Sequence, residues 1–208
     1  MKKKIITKLT KHTDIFSISF KKDKTWMLAF GSSTRNVKSG VGFSEYSSGT
    51  KFFYWVFPDV CFPFIFPYSL LGNVDVSDAD RAHFLGKGSS PSESELIDFI
   101  LDKCKLVRES LALDYTSLVE FLSANYDRLS SFEKADYILL RFYMERDFKL
   151  VNEAEKLVPK LNPHNPKTIK FRDFIQLLKS QEESKIIKEI ELFKKENEKV
   201  WQAHFVEN

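Results

Sequence analysis

Cysteine is scarce in this chain. Cys61 and Cys104 are the only two in 208 residues, too few for a disulfide framework. Each sits in an apolar run, where cysteine behaves as a small hydrophobe, and this usage fits a reducing, cytoplasmic compartment. Histidine is nearly as rare. His12, His83, His164 and His204 fall in separate segments, with no His-x-x-x-His and no Cys-x-x-Cys, so spacing excludes a motif-defined transition-metal site. Also missing are the phosphate loop Gly-x-x-x-x-Gly-Lys-Ser/Thr and the nucleophile elbow Gly-x-Ser-x-Gly. No cofactor is expected, and the reading is non-enzymatic; an enzyme with a scattered, motif-less site remains an alternative.

A long uninterrupted apolar run is absent as well. The most apolar window, 52–71, has the length of a membrane span but contains Pro58, Asp59, Pro63 and Pro67. Three prolines and a carboxylate make a poor spanning helix, so no membrane association is expected. Lys8, Lys11 and His12 likewise break the opening segment before it could form a signal-peptide core.

What the chain has in excess is phenylalanine, 20 residues against seven glycines. Rings of this size bury much area each and dominate a core. Charge is also unevenly placed. Residues 1–60 carry a net +7, residues 61–135 carry −5 and residues 136–208 carry +1. A basic N-terminal part is the one sequence-level pointer to an anionic partner.

Periodicity divides the chain. Residues 3–13 read as a short basic helix. Phe16, Ile18 and Phe20, then Trp26, Leu28 and Phe30, alternate with their neighbours as half-buried strands do. Val41 and Phe43 continue the alternation, and Phe52 to Phe57 is apolar throughout, as a strand covered on both faces would be. Phe62, Phe64 and Phe66 alternate again over residues 60–66, with Pro63 limiting this segment to an edge strand. About five strands on short turns predict an antiparallel sheet.

Beyond a Gly-, Ser- and Asp-rich junction at 76–90, the pattern is helical. Ser90-Pro91-Ser92-Glu93, Ser130-Ser131-Phe132-Glu133 and Ser180-Gln181-Glu182-Glu183 read as helix starts, and Asn165-Pro166 as another. Residues 132–161 have the pattern of a helical hairpin, similar in shape to one tetratricopeptide-type unit, although no period near 34 residues recurs. In the long terminal helix Ile186, Ile190, Phe193, Asn197, Val200 and His204 follow a heptad seam with one polar position. That seam suits either a coiled coil or a helix packed on its own domain.

The fold class expected is therefore α+β. Residues 1–75 form a strand-rich part with a short first helix, and residues 91–208 an all-helical part containing the hairpin and the long terminal helix. The two are expected to pack as one unit.

Two stretches remain as candidates for chemistry. Asp75, Asp78 and Asp80 offer oxygen ligands to a hard cation, but without the mid-loop glycine and distant glutamate of a calcium loop. Gly86-Lys87-Gly88-Ser89-Ser90 precedes a helix, although Glu93 and Glu95 would repel a phosphate there.

The run Val37-Lys38-Ser39-Gly40-Val41-Gly42-Phe43-Ser44, followed by Phe53-Tyr54-Trp55-Val56-Phe57 and the prolines 58 and 63, resembles a loosely defined group of uncharacterised small bacterial proteins. The helical tail with Trp201 in its last helix is similar too. The resemblance implies an α+β domain with a helical tail, no assigned catalytic residues, and an association with toxin immunity or antiviral defence. The expected function is an accessory subunit or immunity factor that binds another protein, one encoded nearby, through Phe62, Phe64, Phe66 and Tyr68 or through Asn197 and Trp201. The alternative is a nucleic-acid-binding accessory factor using Lys2, Lys3, Lys4, Lys8 and Lys11. No small-molecule substrate is expected.

Overall fold

The computed structural model describes residues 3–12, 16–22, 24–30, 36–63, 70–111, 114–204 and 206–207. Helix α1 (Lys3–Leu9) is followed by strands β1 (Phe16–Lys22), β2 (Thr25–Phe30), β3 (Val37–Tyr46), β4 (Gly49–Pro58) and β5 (Leu70–Asn73). Next come the single turn α2 (Asp78–Asp80), a π-helical turn over Arg81–Leu85, and α3 (Glu93–Ser110). Helices α4 (Tyr115–Ala124), α5 (Ser131–Glu145), α6 (Leu150–Leu157), α7 (Pro166–Ser180) and α8 (Glu183–His204) follow, and then β6 (Val206–Glu207). The protein is of the α+β class. Among the described residues no helix is long and apolar enough to cross a membrane.

The chain divides into two compact units. One comprises residues 1–57, 70–113 and 204–208, the other residues 58–69 and 114–203. The junction expected at 76–90 lies inside the first unit, which also holds α3.

In the first unit the strands form one sheet in the order β5-β4-β3-β2-β1-β6. Antiparallel pairing of β1 with β2 and of β2 with β3 follows from the short connections. Met27 to Phe30 are buried in succession, as are Ser39 to Phe43, so neither strand alternates between core and solvent. Gly40 explains how a ring-rich core closes here. A Cβ at this position would stand 2.0 Å from the Leu28 carbonyl oxygen and 2.7 Å from the Trp55 ring. Trp55 thus lies where only glycine leaves room, and its indole N–H donates to the Val41 carbonyl at 3.0 Å. Helix α3 packs on α1 and β3, and the Ser39 hydroxyl donates to the Leu111 carbonyl at 3.0 Å.

The second unit is built around α5. Residues 135–140 are all buried, Asp136 included, so the middle of this helix is covered on every side. Ser130 and Glu133 form the expected capping box, and Asn165 with Pro166 opens α7 as expected. Helix α6 packs on α5 and on α7.

Several expectations are corrected. Helix α3 starts two residues later than the Ser90 motif suggests, because Ser92 with Glu95 offers a second box of the same spacing and that one forms. Ser180 ends α7 rather than opening α8; its hydroxyl donates to the Leu177 carbonyl, and Gln181 turns the chain in the left-handed region. Residues 60–63 are not a strand. The Cys61 N–H turns back to the Asp59 carbonyl at 3.1 Å, and the Phe62 N–H donates to the Asp136 carboxylate at 2.9 Å, so neither joins a ladder. The fifth and sixth strands are instead Leu70–Asn73 and Val206–Glu207.

Candidate functional site

Among the described residues a group of polar side chains surrounds residues 58–62 inside the helical unit. Asn197 of α8 donates from Nδ2 to the carbonyls of Asp59 and Cys61 at 2.8 and 2.9 Å. Asp136 of α5 accepts from the Phe62 N–H and pairs with Lys167 of α7. The Asp136 and Lys167 side chains are 3% and 12% exposed, so this ion pair is largely shielded from water. The Phe62 ring sits edge-on to Phe171 and Phe174, with centroids at 5.5 and 5.7 Å, and 5.5 Å from Phe193.

Next to this lies a group of titratable side chains. Tyr115 donates its hydroxyl to the Asp59 carboxylate. Tyr143 donates to Glu191 at 3.1 Å, and Lys194 reaches both Tyr143 and Glu191 at 3.3 Å. Burial raises the Asp59 carboxyl above its usual range, against the lowering effects of the Tyr115 hydrogen bond and the Lys194 charge. The Tyr115 hydroxyl is raised by burial and by the carboxylate it serves. Burial disfavours the Lys194 ammonium, but the charge of Asp59 and the bond to Tyr143 outweigh it and raise its value. Cys61, buried and near Asp136, is held far above the thiolate range and is a poor nucleophile. The group can hold a proton between Asp59 and Tyr115. Its visible work is to fasten the chain's own segment.

Two open depressions lie among the described residues. A cleft of about 370 Å³ in the first unit lies between the β3–β4 turn and the π-helical turn, lined by Tyr46, Lys51, Asp78 and Arg81 among others. A groove of about 360 Å³ in the second unit has Val158, Pro159 and Ile175 along it, with Arg172 and the Lys179–Glu155 ion pair at 2.6 Å.

The residues singled out in the sequence are scattered by the structure. Phe62 is fully buried, so it is not part of an exposed aromatic patch; Phe64, Phe66 and Tyr68 lie outside the described residues. Asn197 is buried and Trp201 nearly so, and the heptad seam of α8 faces the core of its own unit through Ile186, Ile190 and Phe193. Lys4 and Lys8 both pair with Glu93 and hold its carboxyl below the usual range, Lys8 contributing most. Lys11 is exposed, Lys2 lies outside the described residues, and Lys3 opens α1. Asp75, Asp78 and Asp80 do not converge: among the described residues no group of three His, Cys, Asp or Glu side chains could hold a metal ion.

Sequence reasoning missed Asp136, Lys167, Tyr115 and the cleft. A signal existed for the first of these. Asp136 interrupts an otherwise apolar helical stretch from Ala135 to Leu140, and a carboxylate there must find partners.

The fold and these sites define an α+β protein with a sheet unit and a helical unit, the latter holding residues 58–62 among its own helices. Comparisons with protein-family models, with curated proteins and with solved structures return no match.

Proposed function

We propose that the protein acts without catalysis, by binding another protein, as an accessory subunit or immunity factor of a bacterial conflict or antiviral-defence system in the cytoplasm. The observation that carries this reading is the exposure of large apolar side chains on three helices of the second unit. Met144 on α5, Ile169 on α7 and Leu192 on α8 are 41%, 52% and 45% exposed. Apolar side chains left in water are the raw material of protein interfaces. The polar side chains of the same unit support a non-catalytic role, because Asp136, Asn197 and Tyr115 are each engaged with residues 59–62. The resemblance of the β3–β4 region to small bacterial proteins suggests the defence setting, and the helical hairpin expected over residues 132–161 would frame the interface.

The test is native co-purification with identification of retained proteins by mass spectrometry, repeated with Ile169→Glu and Leu192→Glu. A partner retained by the native chain and lost with the charged variants supports the reading. A monomer without partner in several conditions, or a partner indifferent to both substitutions, overturns it.

The nucleic-acid alternative loses ground on a specific observation: Glu93 occupies two of its lysines. It predicts salt-sensitive binding that weakens when Lys2, Lys3, Lys4 and Lys8 are neutralised.

A further inference from the structure

The cleft in the sheet unit combines features found at none of the other surfaces described above. Its rim carries Tyr46, 59% exposed, the most accessible of the large apolar side chains described together with Leu106. Lys51 comes from β4 and Arg81 from the π-helical turn, so two cations approach from separate elements. Among the described residues Lys51 has no ion-pair partner, and Arg81 makes a single long contact of 3.5 Å to the Val76 carbonyl. That differs from Lys4 and Lys8 of α1, which share Glu93 as an ion-pair partner. Asp78 adds an exposed carboxylate with no ion-pair partner among the described residues.

The two walls are held together at one point. Gly49 and Gly86 form an isolated antiparallel bridge, and a Cβ on Gly49 would stand 2.4 Å from the Leu85 carbonyl oxygen. The cleft is thus a built feature of the fold. Its volume of about 370 Å³ falls within the ~300–1,000 Å³ of ordinary small-ligand sites.

We propose that this cleft binds a nucleotide, with the base stacked on Tyr46, the phosphates on Lys51 and Arg81, and the sugar hydroxyls on Asp78. An aromatic face, two unpaired cations and a carboxylate match the three chemical parts of such a ligand. A bare phosphate would gain nothing from Tyr46 and would offer Asp78 no hydroxyl donor. An acidic peptide lacks the sugar hydroxyls that Asp78 would accept from. The ligand is a free nucleotide or the end of a single strand, which offer the same base, sugar and phosphate.

Isothermal titration of the full chain with ADP, oligoriboadenylate and inorganic pyrophosphate tests this. ADP or the oligonucleotide is expected to bind, and tighter binding of one than the other identifies the source. Tyr46→Ala should weaken that binding roughly tenfold or more, as loss of one base–aromatic stack does, while Tyr46→Phe keeps it. The double variant Lys51→Gln/Arg81→Gln should weaken it and flatten its salt dependence, which for the oligonucleotide two phosphate contacts set at a log–log slope of about −1.4. All four substitutions are at exposed or rim positions, and circular dichroism verifies folding. The proposal is overturned if neither ligand binds at millimolar concentration, if pyrophosphate binds as tightly as ADP, or if the folded variants bind like the native chain.

Discussion

The Asn197 side-chain amide lies 2.9 Å from the Cys61 carbonyl oxygen and 3.3 Å from its sulfur, joining residues 136 positions apart in the chain. A polar residue at a heptad seam ordinarily lowers stability in exchange for register. Here it does the reverse, since the buried Cys61 carbonyl depends on it, while the part-buried Asp59 carbonyl also accepts from the Cys61 N–H. Asn197→Leu is expected to cost about 1–3 kcal/mol, the cost of stranding one buried acceptor. Urea unfolding measures this, and sedimentation should show an unchanged oligomeric state. A stabilised variant, as a coiled-coil seam would give, contradicts the assignment.

The Asp136–Lys167 pair and the Lys179–Glu155 pair provide a contrast within one unit. Lys167→Met removes the cation from a nearly buried carboxylate, and about 3–5 kcal/mol is expected to be lost. Lys179→Met removes an ion pair between half-exposed side chains and should cost less than about 1 kcal/mol. Chemical denaturation of the two variants side by side checks the ordering.

Phe62→Ala separates a core role from a surface one. With three rings around it at 5.5–5.7 Å, truncation should cost about 3–5 kcal/mol. A partner-binding phenylalanine on an open patch would leave the melting temperature almost unchanged.

Asp59 makes stability depend on pH in the direction opposite to most carboxylates. Folding raises its value above 3.8, so between 3.8 and the raised value the folded chain holds more proton than the unfolded one. Its contribution is most favourable below 3.8 and is lost as pH rises through the raised value. Asp59→Asn, which keeps an acceptor for Tyr115, removes this dependence. The stability of the variant relative to the native chain should therefore increase from pH 3 to pH 7 in paired denaturation curves. A difference that is flat or falls with pH argues against a raised Asp59.

Gly40→Ala tests the close approach of β3, β2 and Trp55. With a backbone oxygen 2.0 Å from the new Cβ, rearrangement cannot be confined to a flexible side chain, and a loss of about 1–3 kcal/mol or more is expected. Thermal unfolding followed by tryptophan fluorescence measures it.

The elements legible in the sequence were those coded locally. Trp26, Leu28 and Phe30 marked β2, FFYWVF marked β4, and Ser130 with Glu133 marked the start of α5, because alternation and capping act over a few residues. What escaped was coded at long range. Phe62, Phe64 and Phe66 alternate like a strand, yet Phe62 is claimed by Asp136, Phe171 and Phe193, from three helices that begin 69 or more residues later. The choice between Ser90 and Ser92 as a cap was a near tie between two motifs of the same spacing. The cleft combines residues from β3, β4 and two later turns, none remarkable alone, so only the folded chain brings Tyr46, Lys51, Asp78 and Arg81 to one place.

Because residues 58–69 belong to the helical unit while residues 70–113 return to the sheet unit, a contiguous excision cannot yield either unit whole. A fragment opening at Asp114 would contain every helix from α4 to α8 and still lack the Phe62 ring and the carbonyls that Asn197 serves. During synthesis the early segment must wait for α8 before its last partner exists, and closing so long a loop is entropically slow to be repaid. The helical unit is expected to mature late, and mapping its limits by truncation would mistake a missing insert for a missing domain.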